Sequence, residues 1–246
     1  MAVVYILNAN TLSTDLSLYS NINPIRLEKI KKSNNLLFKK EQLGSHILLT
    51  EVLENAYFQD IQKLEFIYNE SGKPYLKNSN LYFSLSHSNG IVALTISKEE
   101  VGLDIELIKD VKDNLARRIM NDAEYNLYQS LDKQNKKIYF FEVWTSKEAY
   151  VKKLGTSLTL TPSNIIIEED VLLKQINISN NLYMIAVTNA SSIIIDERYI
   201  PKHLLERKKP EASEKILEHQ EPHKLRTHLK RTANKIRMNL SDEGAR

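Results

Sequence analysis

The sequence predicts an α+β protein built from two similar α/β subdomains in a pseudo-twofold arrangement. Three observations lead to this fold class. Apolar residues recur with helical spacing after Pro24, two runs after Asn80 alternate as strands do, and the segment that begins at Asn80 is echoed from Asn181. The 246 residues, of which 42% are hydrophobic, suffice to bury the core of such a fold.

The first half is predicted to begin with helices. Residues 24–56 carry the helical pattern, and the interruption KKSNN predicts a break into two helices. A short strand is expected at Leu64–Tyr68, followed by the turn ESGKPYL with Gly72 and Pro74. YFSLS and IVALTIS then read as two strands around HSNG, which is typical of a hairpin turn.

The second half is predicted to begin with the strand VGLDIEL. Asn121 and Glu124 resemble a capping box, which indicates the start of a helix. The longest helix is expected from about Lys136 to Leu154, where a glycine ends it. Two strands, around Leu182–Thr188 and Ile193–Asp196, complete the globular part.

An internal echo suggests how these elements are grouped. NLYFSLSHSNGIVAL and NLYMIAVTNASSIII share their first three residues and a strand–turn–strand pattern, but only the first contains a histidine, His87. This echo suits two related halves. We therefore predict an N-terminal α+β subdomain over residues 1–98, a C-terminal α+β subdomain over residues 99–200, and a basic tail over residues 201–246.

The tail differs from the rest of the chain in its charge. Residues 1–200 carry 22 Lys and Arg against 24 Asp and Glu, whereas residues 201–246 carry 12 against 7 and hold four of the six histidines. We predict a solvated tail that is partly helical or disordered. A contact with nucleic acid, an anionic membrane surface or a partner is the alternative.

Composition excludes several classes of site. The chain has no cysteine, which excludes disulfides, thiolate zinc sites and cysteine nucleophiles. The start MAVVYILNAN lacks the basic region and the apolar length of a signal peptide. No run approaches the length of a membrane span. We therefore expect a cytoplasmic protein.

The strand VGLDIEL places Asp104 and Glu106 in an otherwise apolar segment. Side chains at positions i and i+2 of a strand point to the same face. The two carboxylates would therefore repel each other unless a proton or a cation lay between them, and their oxygens suit Mg²⁺. The simpler alternative is a sheet with one solvated face, on which two acids at this spacing are ordinary. The two acids alone are therefore a weak motif.

The helix around WTSKEAYVKK adds three charged candidates. Glu148 and Lys152 lie together at the edge of its apolar arc, while Lys147 projects from within that arc. A helix-stabilising pair would explain Glu148 and Lys152, but it does not explain Lys147. A core-facing cation needs an anionic partner, and a phosphate beside metal-bound carboxylates would supply one.

Four motifs occur in order along the chain: GKPYL at 72–76, FSLSHS at 83–88, VGLDIE at 101–106 and WTSKEAYVK at 144–152. Together they resemble the 4′-phosphopantetheinyl transferases of the two-lobed, single-chain type that activates peptide synthetases such as that for surfactin. That family transfers the phosphopantetheine arm of coenzyme A to a carrier-protein serine and releases adenosine 3′,5′-bisphosphate. The resemblance covers about residues 24–200.

The resemblance implies coenzyme A as co-substrate and a Mg²⁺ ion, with Mn²⁺ as an alternative. Asp104, Glu106 and Glu148 would hold the metal against the coenzyme A pyrophosphate. His87 would contact that pyrophosphate, and Lys152 would lie beside the bridging phosphate. The residues implied at the adenosine end and the 3′-phosphate are Lys73, Pro74, Ser86, Arg26 and Lys29.

Two details stay open at this point. Either Glu148, directly or through water, or Lys152 would take the serine proton. The family usually has an arginine in the helix after the basic pair, and this sequence lacks it. Lys39, Lys40 or His46 would replace its charge, or the 3′-phosphate would be held less tightly.

The implied partner is a peptidyl or acyl carrier protein, whose recognition helix is usually acidic. Arg117, Arg118, Ile119 and Met120 offer a basic and apolar docking surface, although a solvated helix end is an equal alternative. No DNA partner is expected. A monomer is expected because one chain would supply the cleft that smaller relatives build between subunits.

Two other functions compete with the transferase. A non-catalytic homologue would bind carrier protein or coenzyme A without turnover, but retention of the three acids and Lys152 argues against it. A metal-dependent phosphodiesterase or nucleic-acid binder would use the acids and the basic tail, and it predicts a salt-sensitive affinity for nucleic acid.

Overall fold

The computed structural model describes residues 1–156, 162–198 and 200–205. Residues 1–207 form one compact unit of mixed α+β structure, which confirms the predicted fold class. The predicted tail lies outside the described residues from position 206 onward. In the part of the chain that is described, no helix has the length and apolar character needed to cross a membrane.

Strands and helices alternate in groups along the chain. The strands are β1 (Ala2–Asn8), β2 (Phe66–Tyr68), β3 (Pro74–Leu76), β4 (Tyr82–Ser88), β5 (Ile91–Ser97), β6 (Leu103–Leu107), β7 (Val171–Ile178), β8 (Asn181–Thr188) and β9 (Ile193–Arg198). The helices are α1 (Pro24–Lys32), α2 (Leu36–Asn55), α3 (Asp113–Ile119), α4 (Asp122–Ser130) and α5 (Lys133–Leu154). β2 and β3 form a separate antiparallel ribbon.

Side-chain caps set the ends of the predicted helices. Asn23 accepts hydrogen bonds from the first backbone N–H groups of α1, and Asn35 accepts one from Phe38 at 3.0 Å at the start of α2. The KKSNN segment therefore separates two helices, as predicted. α5 begins at Lys133 rather than Lys136 because Asp132 caps it.

The first sheet has the strand order β4-β5-β1-β9. β4 and β5 form the predicted hairpin, whose turn residues Asn89 and Gly90 have φ values of 51° and 79°, as a type I′ turn requires. β1 was not predicted as a strand, yet it lies inside this sheet, antiparallel to β5 and parallel to β9. Its apolar run VVYIL is the signal that sequence analysis passed over.

The second sheet has the order β6-β8-β7 and is antiparallel throughout. The second copy of the sequence echo is therefore not a hairpin. β8 pairs with β6 and β7, so neither of its edges is free for β9, and β9 pairs with β1 in the first sheet instead. Residues 193–198, which fall within the predicted second subdomain, complete the first sheet.

The two sheets pack face to face between helices. Along β1, Tyr5 and Leu7 pack with α2, whereas Val4 and Ile6 face the second sheet. On β6, Leu103 and Ile105 belong to the same inter-sheet core. The alternating positions of β6, which carry the two acids, therefore point away from that core.

Candidate active site

Three serines of β4 connect the two sheets. Ser84, Ser86 and Ser88 occupy alternate positions and face β6. Ser84 Oγ accepts the Leu103 N–H at 3.0 Å, and Ser88 Oγ accepts the Leu107 N–H at 3.1 Å. These hydroxyls satisfy backbone donors that a neighbouring strand would otherwise satisfy with carbonyls. The motif FSLSHS thus places the acidic strand beside β4.

Asp104 lies between the sheets and α5 and is only 3% exposed. Its Oδ1 accepts hydrogen bonds from Ser86 Oγ at 2.7 Å and from Lys152 Nζ at 2.7 Å. Among the described residues, none donates a hydrogen bond to its buried Oδ2. A buried carboxylate oxygen without a partner is costly, and a bound cation would offset that cost.

Glu106 is held by two donors. Ser88 Oγ donates to its Oε2 at 2.8 Å, and the indole Nε1 of Trp144 donates to its Oε1 at 3.3 Å. Burial and then the charge of Asp104 raise the pKa of Glu106, although these two hydrogen bonds oppose the rise. The side chain is therefore oriented but electrostatically strained by its neighbour.

Glu148 completes the acidic group. Burial, followed by the charge of Asp104, raises its pKa to about 7; Glu106 adds to this rise and Lys152 opposes it. The structure thus brings the three predicted acids into one electrostatic environment. In the part of the chain that is described, no three His, Asp or Glu side chains form a ready-made metal cage.

The donor set nevertheless fits Mg²⁺. Carboxylate oxygens are the hard ligands that this ion prefers, and Asp104 Oδ2 has no protein partner among the described residues. The raised pKa values of Glu106 and Glu148 arise partly from mutual repulsion, which a divalent cation would relieve. Asp104, Glu106 and Glu148 therefore remain the predicted metal ligands.

Gly102 allows α5 to reach these acids. A Cβ atom added at this position would lie 1.8 Å from the Ala149 carbonyl oxygen and 2.7 Å from the Lys153 amide nitrogen. Only a glycine therefore lets β6 approach the backbone of α5 so closely. This approach brings Glu148 and Lys152, on the same helix, to Asp104.

A separate cavity of about 740 Å³ opens on the other side of β4. It is lined by residues of α1, α2, the ribbon and β4, among them four of the predicted coenzyme ligands: Arg26, Lys29, Pro74 and His87. Burial lowers the pKa of Arg26 to about 10, which still leaves the guanidinium charged near neutral pH. The cavity thus offers positive charge and enough room for a nucleotide-sized ligand.

Only one of the three candidates for the missing arginine lines this cavity, and that residue is His46. Lys40 instead donates to the Asn10 carbonyl at 2.7 Å. Burial lowers the pKa of His46; the hydrogen bond to the Ser20 carbonyl opposes this, and the charge of Arg26 adds to it. His46 therefore supplies a polar group rather than a positive charge at neutral pH.

His87 has partners on α2 that sequence reasoning missed. Its Nδ1 lies 3.0 Å from Glu41 Oε2, and its Nε2 lies 3.3 Å from Gln42 Nε2. Glu41 is buried, and its Oε1 accepts the Gly90 N–H at 2.8 Å. Glu41 stands in the polar run KKEQ, so no sequence pattern signals that its side chain is buried.

Two residues predicted at the adenosine end lie elsewhere. Lys73 Nζ donates to Glu100 Oε2 at 2.6 Å and to the Lys153 carbonyl at 2.9 Å, so it points away from the cavity. Ser86 lies on the β6 side of β4, where it donates to Asp104 and accepts from Lys152 at 2.9 Å. Alternation along each strand separates these side chains from Pro74 and His87.

Lys147 was predicted to meet a phosphate, and this prediction is wrong. The side chain is 1% exposed, and its Nζ donates to Glu124 Oε2 at 2.6 Å and to the Ile119 carbonyl at 3.0 Å. The anionic partner that a core-facing lysine requires is thus an acid of the chain itself. Glu124 is also the acid of the predicted capping box, which the structure confirms.

The predicted docking surface is only partly exposed. Ile119 and Met120 are 6% and 0% exposed, because they pack with the aromatic residues of α5. Arg117 and Arg118 are exposed, and Arg117 forms an ion pair with Asp122 at 2.8 Å. The apolar part of the predicted surface therefore belongs to the core.

Comparison with known proteins bears directly on the acidic group. Residues 100–190, which contain β6, α5 and the three acids, match the 4′-phosphopantetheinyl transferase superfamily. The predicted resemblance to this superfamily is confirmed over this segment. The matched segment also contains Lys152, whereas the residues of the cavity lie outside it.

Three relatives illustrate the similarity. The chain is 28% identical to 4′-phosphopantetheinyl transferase Sfp of Bacillus subtilis (strain 168) over 57% of its own length and 63% of the relative's. It is 28% identical to 4′-phosphopantetheinyl transferase gsp of Aneurinibacillus migulanus, over 62% and 64% of the two chains. It is 35% identical to 4′-phosphopantetheinyl transferase HetI of a Nostoc species, over 53% and 60%. The chain thus spans less than two thirds of the length of each.

Proposed function

We propose that the chain is an enzyme that transfers the 4′-phosphopantetheine group of coenzyme A to a serine hydroxyl of an apo carrier protein. The observation that carries this proposal is the group of Asp104, Glu106, Glu148 and Lys152, all within the segment that matches the superfamily. The adjoining basic cavity supports it, because coenzyme A carries both a pyrophosphate and a 3′-phosphate.

Coenzyme A would bind with its adenosine end in the cavity. Arg26 and Lys29 supply positive charge there for the 3′-phosphate. His87, near the end of the edge strand β4, supplies an imidazole. β4 separates the cavity from the acids, so the pyrophosphate would pass the edge of this strand. It would then lie close to Lys152, whose ammonium contacts both Ser86 and Asp104.

The reaction is an in-line displacement at phosphorus. The carrier serine Oγ forms a bond to the β-phosphorus, and the bond from that phosphorus to the bridging oxygen breaks. Adenosine 3′,5′-bisphosphate leaves with the electron pair of the broken bond. The ammonium of Lys152, which pairs with Asp104, would neutralise the charge that develops on the phosphoryl oxygens.

The serine proton needs an acceptor, and Glu148 is the first candidate. Without the metal its pKa is raised to about 7, and a bound divalent cation would lower this value. Glu148 would therefore take the proton directly or through a water molecule. Lys152 is the second candidate, because its Nζ lies in the same site, 2.7 Å from Asp104 Oδ1. Variants at the two positions separate these roles by their pH–rate profiles.

Asp104, Glu106 and Glu148 would hold the Mg²⁺ or Mn²⁺ ion. When bound, the ion would neutralise pyrophosphate charge and polarise the phosphoryl oxygens. Ser86, Ser88 and Trp144 orient the first two carboxylates independently of the ion.

The proposed partner is a peptidyl carrier protein of nonribosomal peptide biosynthesis or an acyl carrier protein. The exposed Arg117 and Arg118 suit an acidic recognition helix. We propose that the protein acts as a monomer in the cytoplasm, where carrier proteins and coenzyme A are available to it, and that it has no DNA partner.

Intact-mass spectrometry of an apo peptidyl carrier domain tests the proposal. After incubation with the protein, coenzyme A and Mg²⁺, the carrier should gain the mass of one phosphopantetheine group, and EDTA should prevent this gain. Coenzyme A binding without any gain on peptidyl and acyl carriers would favour the non-catalytic homologue. If the protein neither bound coenzyme A nor added mass to any carrier, the proposal would be overturned.

A further inference from the structure

The contact between Glu41 and His87 is not explained by packing alone. Glu41 lies on α2 in a buried position, and both of its carboxylate oxygens are engaged. Oε1 accepts the Gly90 N–H at 2.8 Å, and Oε2 lies 3.0 Å from His87 Nδ1. Burying a carboxylate is costly unless strong donors satisfy it. Here one donor is the hairpin turn and the other is a side chain that lines the cavity.

This arrangement fixes which nitrogen of His87 faces the cavity. Because a carboxylate only accepts hydrogen bonds, Nδ1 must carry the hydrogen in its contact with Glu41. Nε2 then lies towards Gln42 and the cavity, 3.3 Å from the amide nitrogen. The negative charge of Glu41 thus lies against the Nδ1 side of the ring.

We propose that Glu41 is a positioning residue for coenzyme A, which holds His87 by Nδ1 and balances the charge of the imidazolium that donates from Nε2 to a phosphate oxygen. The inference rests on the proposed function and deepens it. When an anion binds in the cavity, His87 Nε2 takes up a proton from solvent and donates it in a hydrogen bond to the anion. The negative charge of Glu41 then lies on the side of the ring opposite the anion.

The burial of Glu41 makes its charge effective. Burial raises the pKa of Glu41, but the hydrogen bonds from His87 and Gly90 outweigh that effect and lower the pKa overall. The carboxylate therefore remains ionised near neutral pH. The side chain is also little accessible to water, so its field at His87 is weakly screened.

Glu41→Gln tests the proposal with little change of shape. The glutamine carbonyl can still accept the Gly90 N–H, but its amide would donate to Nδ1 and move the His87 hydrogen to Nε2. Imidazole ¹⁵N spectra, assigned with His87→Ala, should show Nδ1 protonated in the unmodified protein and unprotonated in the variant. With coenzyme A added, only the unmodified protein should show both nitrogens protonated.

Coenzyme A affinity provides the second readout. We expect Glu41→Gln to weaken binding about tenfold, as loss of an orienting partner typically does. The matched control is Glu54→Gln, which removes the same charge from an exposed position of α2 and should leave affinity and spectra unchanged. Thermal unfolding of both variants reports any loss of stability.

A double-mutant cycle distinguishes positioning from a structural role. If Glu41 acts through His87, Glu41→Gln should cost almost nothing in coenzyme A affinity when His87→Ala is already present. An equal loss in both backgrounds, or an unchanged ¹⁵N pattern in Glu41→Gln, would overturn the proposal. If the unmodified protein bound no coenzyme A, the proposed function would fail, whereas the spectra would still decide whether Glu41 sets the tautomer.

Discussion

Asp104 has one oxygen held by Ser86 and Lys152 and a second, buried oxygen that none of the described residues contacts by a hydrogen bond. This asymmetry distinguishes it from Glu106, both of whose oxygens have donors. In β6, hydrogen bonds therefore hold both oxygens of Glu106 but only one oxygen of Asp104. Of these two carboxylates, Asp104 would therefore stabilise a bound cation more.

Asp104→Asn should lower transfer by at least about 100-fold, because the substitution removes the charge nearest to Lys152 while keeping a hydrogen-bond acceptor for Ser86. The expected accompanying change is a loss of Mn²⁺ affinity of about 10- to 100-fold. Mass spectrometry of the carrier and electron paramagnetic resonance of Mn²⁺ measure the two effects. Asp110→Asn, at an exposed position, is the control. Transfer at the unmodified rate would contradict the assignment of Asp104.

Glu148 makes stability depend on pH in the metal-free protein. Its pKa of about 7 in the folded state lies above its ordinary value of 4.5, so the folded state binds the proton more tightly. Protonated Glu148 therefore contributes its full stabilisation of the folded state below about pH 4.5, and this contribution is lost as pH rises through 7. We expect the free energy of unfolding to fall between about pH 4.5 and pH 7, by on the order of 1 kcal/mol after screening by solvent is considered.

Urea unfolding at several pH values, in the presence of EDTA, measures this effect. Glu148→Gln should flatten the profile in that range, and Mg²⁺ should raise the stability of the unmodified protein at the alkaline end. An identical pH profile for the variant would mean that Glu148 does not carry the raised pKa.

The spacing of the acids could be predicted because it follows from local periodicity. Asp104 and Glu106 share a strand face, and Glu148 and Lys152 share a helix face. Lys147 was recognised as core-facing, but its partner Glu124 lies on another helix, and only the fold brings them together. Glu41 was missed for the same reason, since its contact with His87 joins elements far apart in sequence.

At the scale of elements, Gly102 controls the distance between β6 and α5. Gly102→Ala should lower the free energy of unfolding by about 1–3 kcal/mol, because the new methyl group would meet the Ala149 carbonyl and force the helix outward. The same shift should reduce transfer, since Glu148 and Lys152 move with the helix. Thermal unfolding and the carrier assay measure the two effects.

Gly72→Ala is the matched control for this substitution. A Cβ atom at that position has open space around it, but φ is +82°, so the expected cost is about 1 kcal/mol from backbone strain alone. If Gly102→Ala proved no more destabilising than Gly72→Ala, close packing of β6 on α5 would not be the reason for the glycine.

The starts of three helices and the turn of one hairpin were predicted from their local sequence, whereas the start of α5 was placed three residues too late. Asn23, Asn35 and Asn121 cap three helices, and the hairpin turn at Asn89 and Gly90 has the expected backbone. β1 and the parallel pairing of β9 were not predicted. A parallel pair has no turn residues to signal it, because its partners here are 191 positions apart.

At the scale of the whole molecule, the compact unit ends at Arg207. A chain truncated after this residue should keep its unfolding temperature within about 2 °C and its transfer rate on an isolated carrier domain within about twofold, because the proposed site lies wholly in the compact unit. Calorimetry and the carrier assay test this expectation. A large loss of either property would assign the basic segment a part in folding or in carrier binding.

The parallel pairing of β9 with β1 has a consequence for synthesis of the protein on the ribosome. β1 is made before the other strands, but β9, which covers one of its edges, is made only after the whole of the second sheet. Until residue 198 has emerged, the growing chain exposes a β-strand edge with unpaired N–H and C=O groups. Folding of the first sheet must therefore finish after translation of the second, and the nascent chain should be most prone to aggregate, and most dependent on chaperones, in that interval.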